Sequence, residues 1–362
     1  MSSYNYYAPP VREPNRRNPL DYRMTLTASI LTNLNRGECC ALVGVGSCGK
    51  SRFMLHLTRF ETIQYHLSDN AFSHFFVLVE CNGWLAQETW AAYESIAYNL
   101  ASFVGNVEHP LLQNVRPRLE ATYDLIVQNR DLAFRHLTVA LDELMRGTRL
   151  KITFCFDEFD YVFERFDAQL FRNLRALRNR FKYQLTYLVT TRYPMPYQRA
   201  PERHAEVEEF YELFADNSFA IGPYDQKDAE AMVKDLEARM NYPLRCETRD
   251  MLIDISGGHP GLLRSAFNLL ETLKEQPTLP KRMGELLINE QMTWKECKRI
   301  WDSLTFVERG VLKRLATGRS TPQDAIILSQ LKAKGLVVEA QGHGLRVFSL
   351  IVQEFAKQQS DA

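Results

Sequence analysis

Apolar and polar positions follow two different rhythms along this chain, and the rhythm changes near residue 217. Residues 24–34 carry apolar side chains at helical spacing, and residues 38–45 (ECCALVGV) form a short glycine-bounded apolar run that predicts a buried strand. A glycine loop and a helical stretch at 51–60 follow it directly. Residues 74–80 (HFFVLVE), 150–156 (LKITFCF) and 185–190 (LTYLVT) predict further buried strands. Helical spacing over 87–104, 131–146 and 168–180 fills the intervals, with Gly147 placed to cap the second of these helices. Strands alternating with helices predict an α/β core with a parallel sheet across the first 215 residues.

Beyond Asn217 the strand runs stop, and residues 227–240, 247–255 and 262–274 predict three helices. After Pro277 and Pro280, residues 295–315 and 324–334 predict two more, and LVVEAQGHGLRVFSL predicts a hairpin turning at Gly342 and Gly344. Helix, helix, hairpin is the order of a winged helix. The pattern therefore divides the chain into a flexible N-terminal arm (1–22), an α/β core (23–215), a helical lid (216–284) and a winged-helix domain (285–362). No internal repeat or low-complexity tract is present, which excludes a solenoid of sensor repeats within this chain.

Composition narrows the function classes. A length of 362 residues with 45% hydrophobic content allows two or three domains, each with its own core. Forty-four basic residues balance forty-four acidic ones, so no global field holds DNA or an anionic membrane. Apolar runs stop well short of the roughly 18 to 20 residues that cross a bilayer, and no membrane partner is expected. The N-terminus, MSSYNYYAPPVREPNRRNP, lacks the apolar run of a secretory signal. The seven cysteines (39, 40, 48, 81, 155, 246, 297) are odd in number and show no paired CxxC spacing, which predicts reduced thiols in a cytoplasm.

Three strings carry chemistry. Gly44-Val-Gly-Ser-Cys-Gly-Lys-Ser51 fits GxxxxGK[ST] between a strand and a helix. There the backbone N–H groups of Gly46, Ser47, Cys48, Gly49 and Lys50 can wrap a β-phosphate, with the following helix aiming its positive end at the same anion. Lys50 would neutralise β/γ oxygens and Ser51 would ligate Mg²⁺. In ITFCFDE, an apolar strand ends on two carboxylates: Asp157 would hold Mg²⁺ through water, and Glu158 would act as general base for the attacking water. The bland alternative is a helix N-cap. Thr190-Thr191-Arg192 closes the next strand, where Thr191 and Arg192 would sense a γ-phosphate; otherwise the arginine is simply solvated. Arg172, Arg175 and Arg178 recur every three residues on one helix, as a solvated face or as an arginine finger for a neighbouring subunit.

Taken together, GVGSCGKS, FCFDEFD, VTTR, IGPYDQKDAEAMV and SGGHPGLL, followed by a winged helix, resemble a STAND-class ATPase, the signal-transduction branch of the AAA+-related, archaeal-type P-loop proteins. The resemblance covers residues 23–360. It implies an additional strand between the two Walker strands and ATP or ADP held between core and lid. It also implies a GxP-type proline against the nucleotide, which maps onto Pro260 with His259 beside it. Two departures stand out. Residues 18–23 (NPLDYR) replace the usual GRE-like box that helps seat adenine, and the effector domain and repeat sensor of such proteins are not in this sequence. Output then falls to a protein partner on a separate chain, to the winged helix, or to nucleotide-dependent self-assembly.

Two functions of different class follow. One is a regulatory switch that binds ATP, ADP and Mg²⁺, hydrolyses ATP slowly and controls an effector. The other is a DNA-binding loader resembling origin-recognition or transposition-regulator ATPases. Residues 286–362 hold eleven Lys/Arg against eight Asp/Glu, and the candidate recognition helix DAIILSQLKAKG offers only Lys332 and Lys334. That excess supports weak, sequence-independent DNA contact at most.

Overall fold

The computed structural model describes residues 18–84, 88–107, 109–146, 148–195, 201–273, 276, 280–340 and 344–359. Most of the N-terminal arm (residues 1–17), the Gly147 cap, Pro277 and Gly342 lie outside these residues.

Five short strands build one sheet: β1 (Cys40–Val43), β2 (His74–Glu80), β3 (Lys151–Asp157), β4 (Leu185–Thr191) and β5 (Ser218–Ala220), in the order β2-β3-β4-β1-β5. β2 pairs with β3, and β3 with β4, in parallel register, Phe75 opposite Ile152 and Cys155 opposite Leu188. β1 and β5 run in step, through Ala41 N–H to Asn217 C=O at 3.0 Å and Ile221 N–H to Val43 C=O at 2.8 Å. All residues of β1 and β4 are buried, which is why these runs read as apolar rather than alternating. β4 lies between β1 and β3, the additional strand that the resemblance implied.

The chain forms two compact units, one from residues up to Leu42 together with Ser51–Phe219, the other from Val43–Lys50 together with residues from Ala220 onward. Helices α1 (Met24–Asn35), α2 (Lys50–Leu57), α3 (Phe60–Leu67), α4 (Thr89–Asn106), α5 (Pro110–Gln128), α6 (Ala133–Met145), α7 (Asp160–Arg165), α8 (Ala168–Arg180) and α9 (Glu208–Tyr211) accompany the sheet. Helix α5 has no counterpart in the sequence expectation, and it carries two prolines, Pro110 and Pro117. Pro110 occupies the first turn, where its missing N–H costs nothing, and Leu112, Leu119 and Ile126 bury one face despite Pro117. β5 is likewise unexpected; three residues are too few to show a period.

An aromatic cluster backs the carboxyl end of β3. Phe156 meets Phe159 at 5.3 Å between ring centroids, Phe163 stacks on Phe171 at 4.8 Å, and Phe210 packs on Phe159 at 5.9 Å. At the other end of the sheet a buried polar ladder crosses three strands, His74 Nε2 to Thr153 Oγ1 at 2.8 Å and Thr153 Oγ1 to Thr186 Oγ1 at 2.7 Å. Rigid packing at both ends fixes where the strand termini project.

The second unit contains α10 (Gln226–Met240), α11 (Cys246–Ser256), α12 (Pro260–Leu273), α13 (Pro280–Ile288), α14 (Gln291–Asp302), α15 (Phe306–Ala316) and α16 (Ala325–Ala333), then the antiparallel pair β6 (Val337–Ala340) and β7 (Gly344–Val347), and α17 (Leu350–Gln358). The single helix expected over 295–315 is in fact two. Thr305 caps α15 by accepting from Glu308 N–H while the Glu308 carboxylate accepts from Thr305 N–H, a capping box that ends α14 before residue 303. All cysteines are free, and all but Cys246 are buried. Among the described residues no helix is long and apolar enough to cross a membrane.

Candidate functional site

The candidate residues fall in two groups, one in each unit. In the first unit, β3 ends on Asp157 and β4 on Thr191, so neighbouring parallel strands deliver their terminal side chains to one edge. Thr190 Oγ1 donates to Asp157 Oδ1 at 2.5 Å, and Glu158 N–H donates both to Asp157 Oδ1 at 3.0 Å and to Thr190 Oγ1 at 2.9 Å. Phe159 N–H then bonds Thr190 C=O at 2.9 Å, and Arg192 N–H bonds Asp160 Oδ1 at 2.8 Å. These contacts stitch the two strand ends together.

They hold an unfavourable conformation. Glu158 has φ of 55°, the left-handed region that costs an L residue other than Gly or Asn roughly 1 kcal/mol or more. A helix N-cap needs no such strain, and Glu158 does not serve as one. The residue flanking α7 is Phe159, and that helix start has no side-chain cap. Both carboxylates are close enough to the Cys81 thiol to matter. Burial pushes that thiol well up, and the charges of Asp157 and Glu158 push it further. Thr191 Oγ1 is buried without a hydrogen-bond partner, and the Arg192 side chain is exposed.

Both bonds to Asp157 fall on Oδ1, so Oδ2 stays outside this network. Among the described residues no cluster of three His, Cys, Asp or Glu forms a protein cage for a metal. Mg²⁺ needs none: one carboxylate, one hydroxyl, water and substrate phosphates suffice, and Asp157 and Ser51 are side chains of the types that such a site would use. The arginines of α8 serve this unit internally, Arg178 donating to Gly37 C=O at 2.7 Å and Arg175 pairing with Glu212 at 3.3 Å.

In the second unit the glycine loop packs on helices that sequence places some 200 residues away. Lys50 Nζ donates to Gly44 C=O at 2.6 Å and Val45 C=O at 3.1 Å, closing the loop on itself. Ser47 (φ 59°) and Gly49 (φ 93°) take left-handed backbone within it. His259, fully buried, has its Nε2 at 3.2 Å from Gly46 C=O, while its Nδ1 is 3.4 Å from Leu262 N–H. With Nδ1 accepting there, Nε2 is the ring nitrogen that carries a proton toward the Gly46 carbonyl. A Cβ on Gly49 would sit 3.6 Å from the Tyr224 hydroxyl and 3.8 Å from Pro260. His259 and Pro260 therefore meet the glycine loop.

Gly257 and Gly258 explain the rest of GGHP. Gly257 (φ 59°) ends α11 in left-handed conformation and lies against the Phe348 backbone, and a Cβ on Gly258 (φ 71°) would lie 2.5 Å from Tyr224 C=O. Only glycine serves both demands. Ser349 Oγ donates to Ile255 C=O at 2.8 Å, so α11 is bonded to the start of α17 as well.

Three residues at the end of α14 also meet the loop, and sequence reasoning missed them. Gly46 N–H donates to Ser303 Oγ at 2.8 Å, a Cβ on Gly46 would lie 2.8 Å from Arg299 C=O, and a Cβ on Gly261 would lie 2.5 Å from Glu296 Oε2 and 2.9 Å from Ser47 Cβ. No local signal marks them.

No protein-family model matches the sequence, and no curated protein does either. Solved structures do match. A Walker-type ATPase of Pyrococcus abyssi is similar over 96% of this chain and 99% of that chain, with a TM-score of 0.54 at 16% identity. The fold is that of a P-loop ATPase. The ORC2 protein of Aeropyrum pernix in its ADP form is similar over 95% of each chain, with a TM-score of 0.48 at 12% identity. The ORC1 protein of the same organism in complex with DNA covers 92% of this chain and 91% of its own, with a TM-score of 0.45 at 13% identity.

Proposed function

We propose that the chain is a STAND-like regulatory ATPase switch that binds ATP or ADP with Mg²⁺, hydrolyses ATP slowly, and passes its nucleotide state to a protein partner or to self-assembly. The observation that carries this reading is the bond from His259 to the Gly46 carbonyl, because it ties the lid motif to the loop that would cradle the phosphates. Anything that reshapes the loop is thereby felt at α11 and α12, and through Ser349 at α17. The division 23–215, 216–284 and 285–362, with the last segment a winged helix, belongs to this proposal.

In this reading the amides of Gly46 to Lys50 and the Lys50 ammonium bind phosphate oxygens, with Gly44 permitting the turn and His259 and Pro260 bordering the loop. Asp157 and Ser51 hold Mg²⁺, which screens phosphate charge when bound. Glu158 orients and deprotonates water, and the Thr190 hydroxyl, donating to the Asp157 carboxylate and accepting from Glu158 N–H, holds the two residues in place. Thr191 and Arg192 discriminate the γ-phosphate. A DNA role is less well supported by the side chains: Lys334 is buried against Glu308, and Lys332 pairs with Glu339.

Isothermal titration of the full chain with ADP and with a non-hydrolysable ATP analogue, with and without Mg²⁺, tests the proposal. Micromolar or tighter binding is expected; no binding of either nucleotide sinks it.

A further inference from the structure

The end of α14 lies directly on the phosphate loop. Ser303 has one hydroxyl proton, which it donates to Arg299 C=O at 2.7 Å, leaving a lone pair that accepts from Gly46 N–H at 2.8 Å. The fit is close. The site where a Gly46 Cβ would stand is 2.8 Å from Arg299 C=O and 3.1 Å from Arg299 Cβ, so no side chain fits between loop and helix.

One turn earlier, Glu296 brings a carboxylate to the same place. Its side chain is only 12% exposed, and Oε1 pairs with the Arg299 guanidinium. Oε2 is buried with no hydrogen-bond partner, and the position a Gly261 Cβ would take lies 2.5 Å from it and 2.9 Å from Cβ of the loop residue Ser47. An unpaired carboxylate oxygen against a loop built of N–H donors is costly to keep and repels an incoming phosphate.

We propose that the C-terminal turn of α14, through Ser303, Arg299 and Glu296, is a latch on the phosphate loop that competes with nucleotide for the Gly46 amide. The proposal rests on the nucleotide-binding reading above and adds its regulation. A single N–H cannot serve Ser303 and a phosphate oxygen at full strength, and the Glu296 charge opposes the phosphate. Phosphate on the loop therefore displaces the end of α14. Only Ser303-Leu304-Thr305 separates α14 from the capped start of α15, so the displacement reaches the C-terminal helices without passing through the lid. The latch is weak by construction, a neutral hydrogen bond beside an unsatisfied carboxylate, and so it sets a threshold rather than a block.

The test compares ADP affinity of the full-length wild type, Ser303→Ala and Glu296→Gln by calorimetry. Loss of the competing neutral hydrogen bond in Ser303→Ala, or of the opposing charge in Glu296→Gln, should tighten ADP binding about twofold to tenfold in each variant. Equal or weaker affinity in both variants, with wild-type binding intact, overturns the latch and leaves the nucleotide reading standing. No binding by any of the three proteins overturns both. A second measurement covers the case of a variant that does not fold: hydrogen exchange on wild type, where ADP should speed exchange over residues 299–305. Slower or unchanged exchange there refutes the latch.

Discussion

The Thr190 hydroxyl donates to Asp157 Oδ1 at 2.5 Å, and through that bond the end of one strand sets the carboxylate of the next. In the proposed site Thr190 would therefore act as a positioning residue rather than a phosphate sensor. Its loss leaves Asp157 with one bond fewer and Glu158 N–H with one acceptor fewer.

Thr190→Val should therefore lower kcat for phosphate release about tenfold to a hundredfold, a typical consequence of small misplacement of catalytic groups. The KM for ATP should change far less. Thr190→Ser, which keeps the hydroxyl, should recover most of the rate. Steady-state kinetics on the three proteins decides it, and an unchanged kcat in Thr190→Val removes Thr190 from the machinery.

Glu158 carries its own diagnostic in the φ of 55°. Glu158→Gln should retain nucleotide binding and lose turnover, since the amide cannot take a proton from water. Glu158→Gly should lose turnover too, yet relieve roughly 1 kcal/mol of left-handed strain, partly offset by the entropy of an added glycine. Thermal melting of the glycine variant should match or exceed wild type. A marked fall in Tm would mean the side chain is structural.

Lys50 Nζ is bonded to Gly44 and Val45 carbonyls, so it shapes the loop, and in the proposed site it would also neutralise what the loop binds. Lys50→Ala should weaken ADP binding by about 100-fold or more, the scale of a lost charge-assisted contact. Calorimetry measures it directly, and an affinity within about threefold of wild type would remove Lys50 from the nucleotide site.

The strand-end motifs are legible in the sequence because glycine, lysine and paired carboxylates sit beside fully buried apolar runs, where few structural explanations compete. The role of α14 is not. Glu296, Arg299 and Ser303 read as a solvated polar face, and nothing local says that this face meets Gly46, which lies far earlier in the chain. The break itself is visible: Thr305 and Glu308 stand at capping-box spacing inside what reads as one helix over 295–315. The continuous apolar period outweighs it.

Acid should unfold the protein earlier than its surface charges imply. Burial lowers His74 to about 3, with the Lys151 charge adding to it, and burial lowers His56 to about 4, with Arg59, His66 and Arg52 adding to it. A base whose folded value lies below its unfolded value of about 6.5 binds more protons when unfolded. Stability is then complete above about pH 6.5 and falls as pH drops through the window between about 6.5 and roughly 3, His56 contributing down to about 4 and His74 to about 3, by several kcal/mol in total. Chemical denaturation at pH 7.5, 6 and 5 should show that decline. His74→Gln should flatten it, and an equal slope in wild type and variant would acquit His74.

The pair Lys334 and Glu308 separates a C-terminal region that reads DNA from one that does not. The Lys334 side chain is 9% exposed and that of Glu308 4%, with Nζ to Oε1 at 2.5 Å, so this lysine is committed inside the fold. Lys334→Met strands a buried carboxylate and should cost about 3 to 5 kcal/mol, whereas adding Glu308→Gln, which removes that charge, should return most of it. Denaturant melts measure both. The DNA affinity of the double variant should equal that of wild type, because Lys334 is turned inward to Glu308. Lys332, held by an exposed pair with Glu339, can exchange partners, and Lys332→Ala should reduce the salt slope of any duplex binding by about one phosphate contact. Fluorescence anisotropy at two salt concentrations reads these slopes. Weak binding that vanishes with salt and ignores sequence is the expected result; tight, sequence-selective binding at physiological salt, lost in the double variant, would instead make DNA the output of this protein.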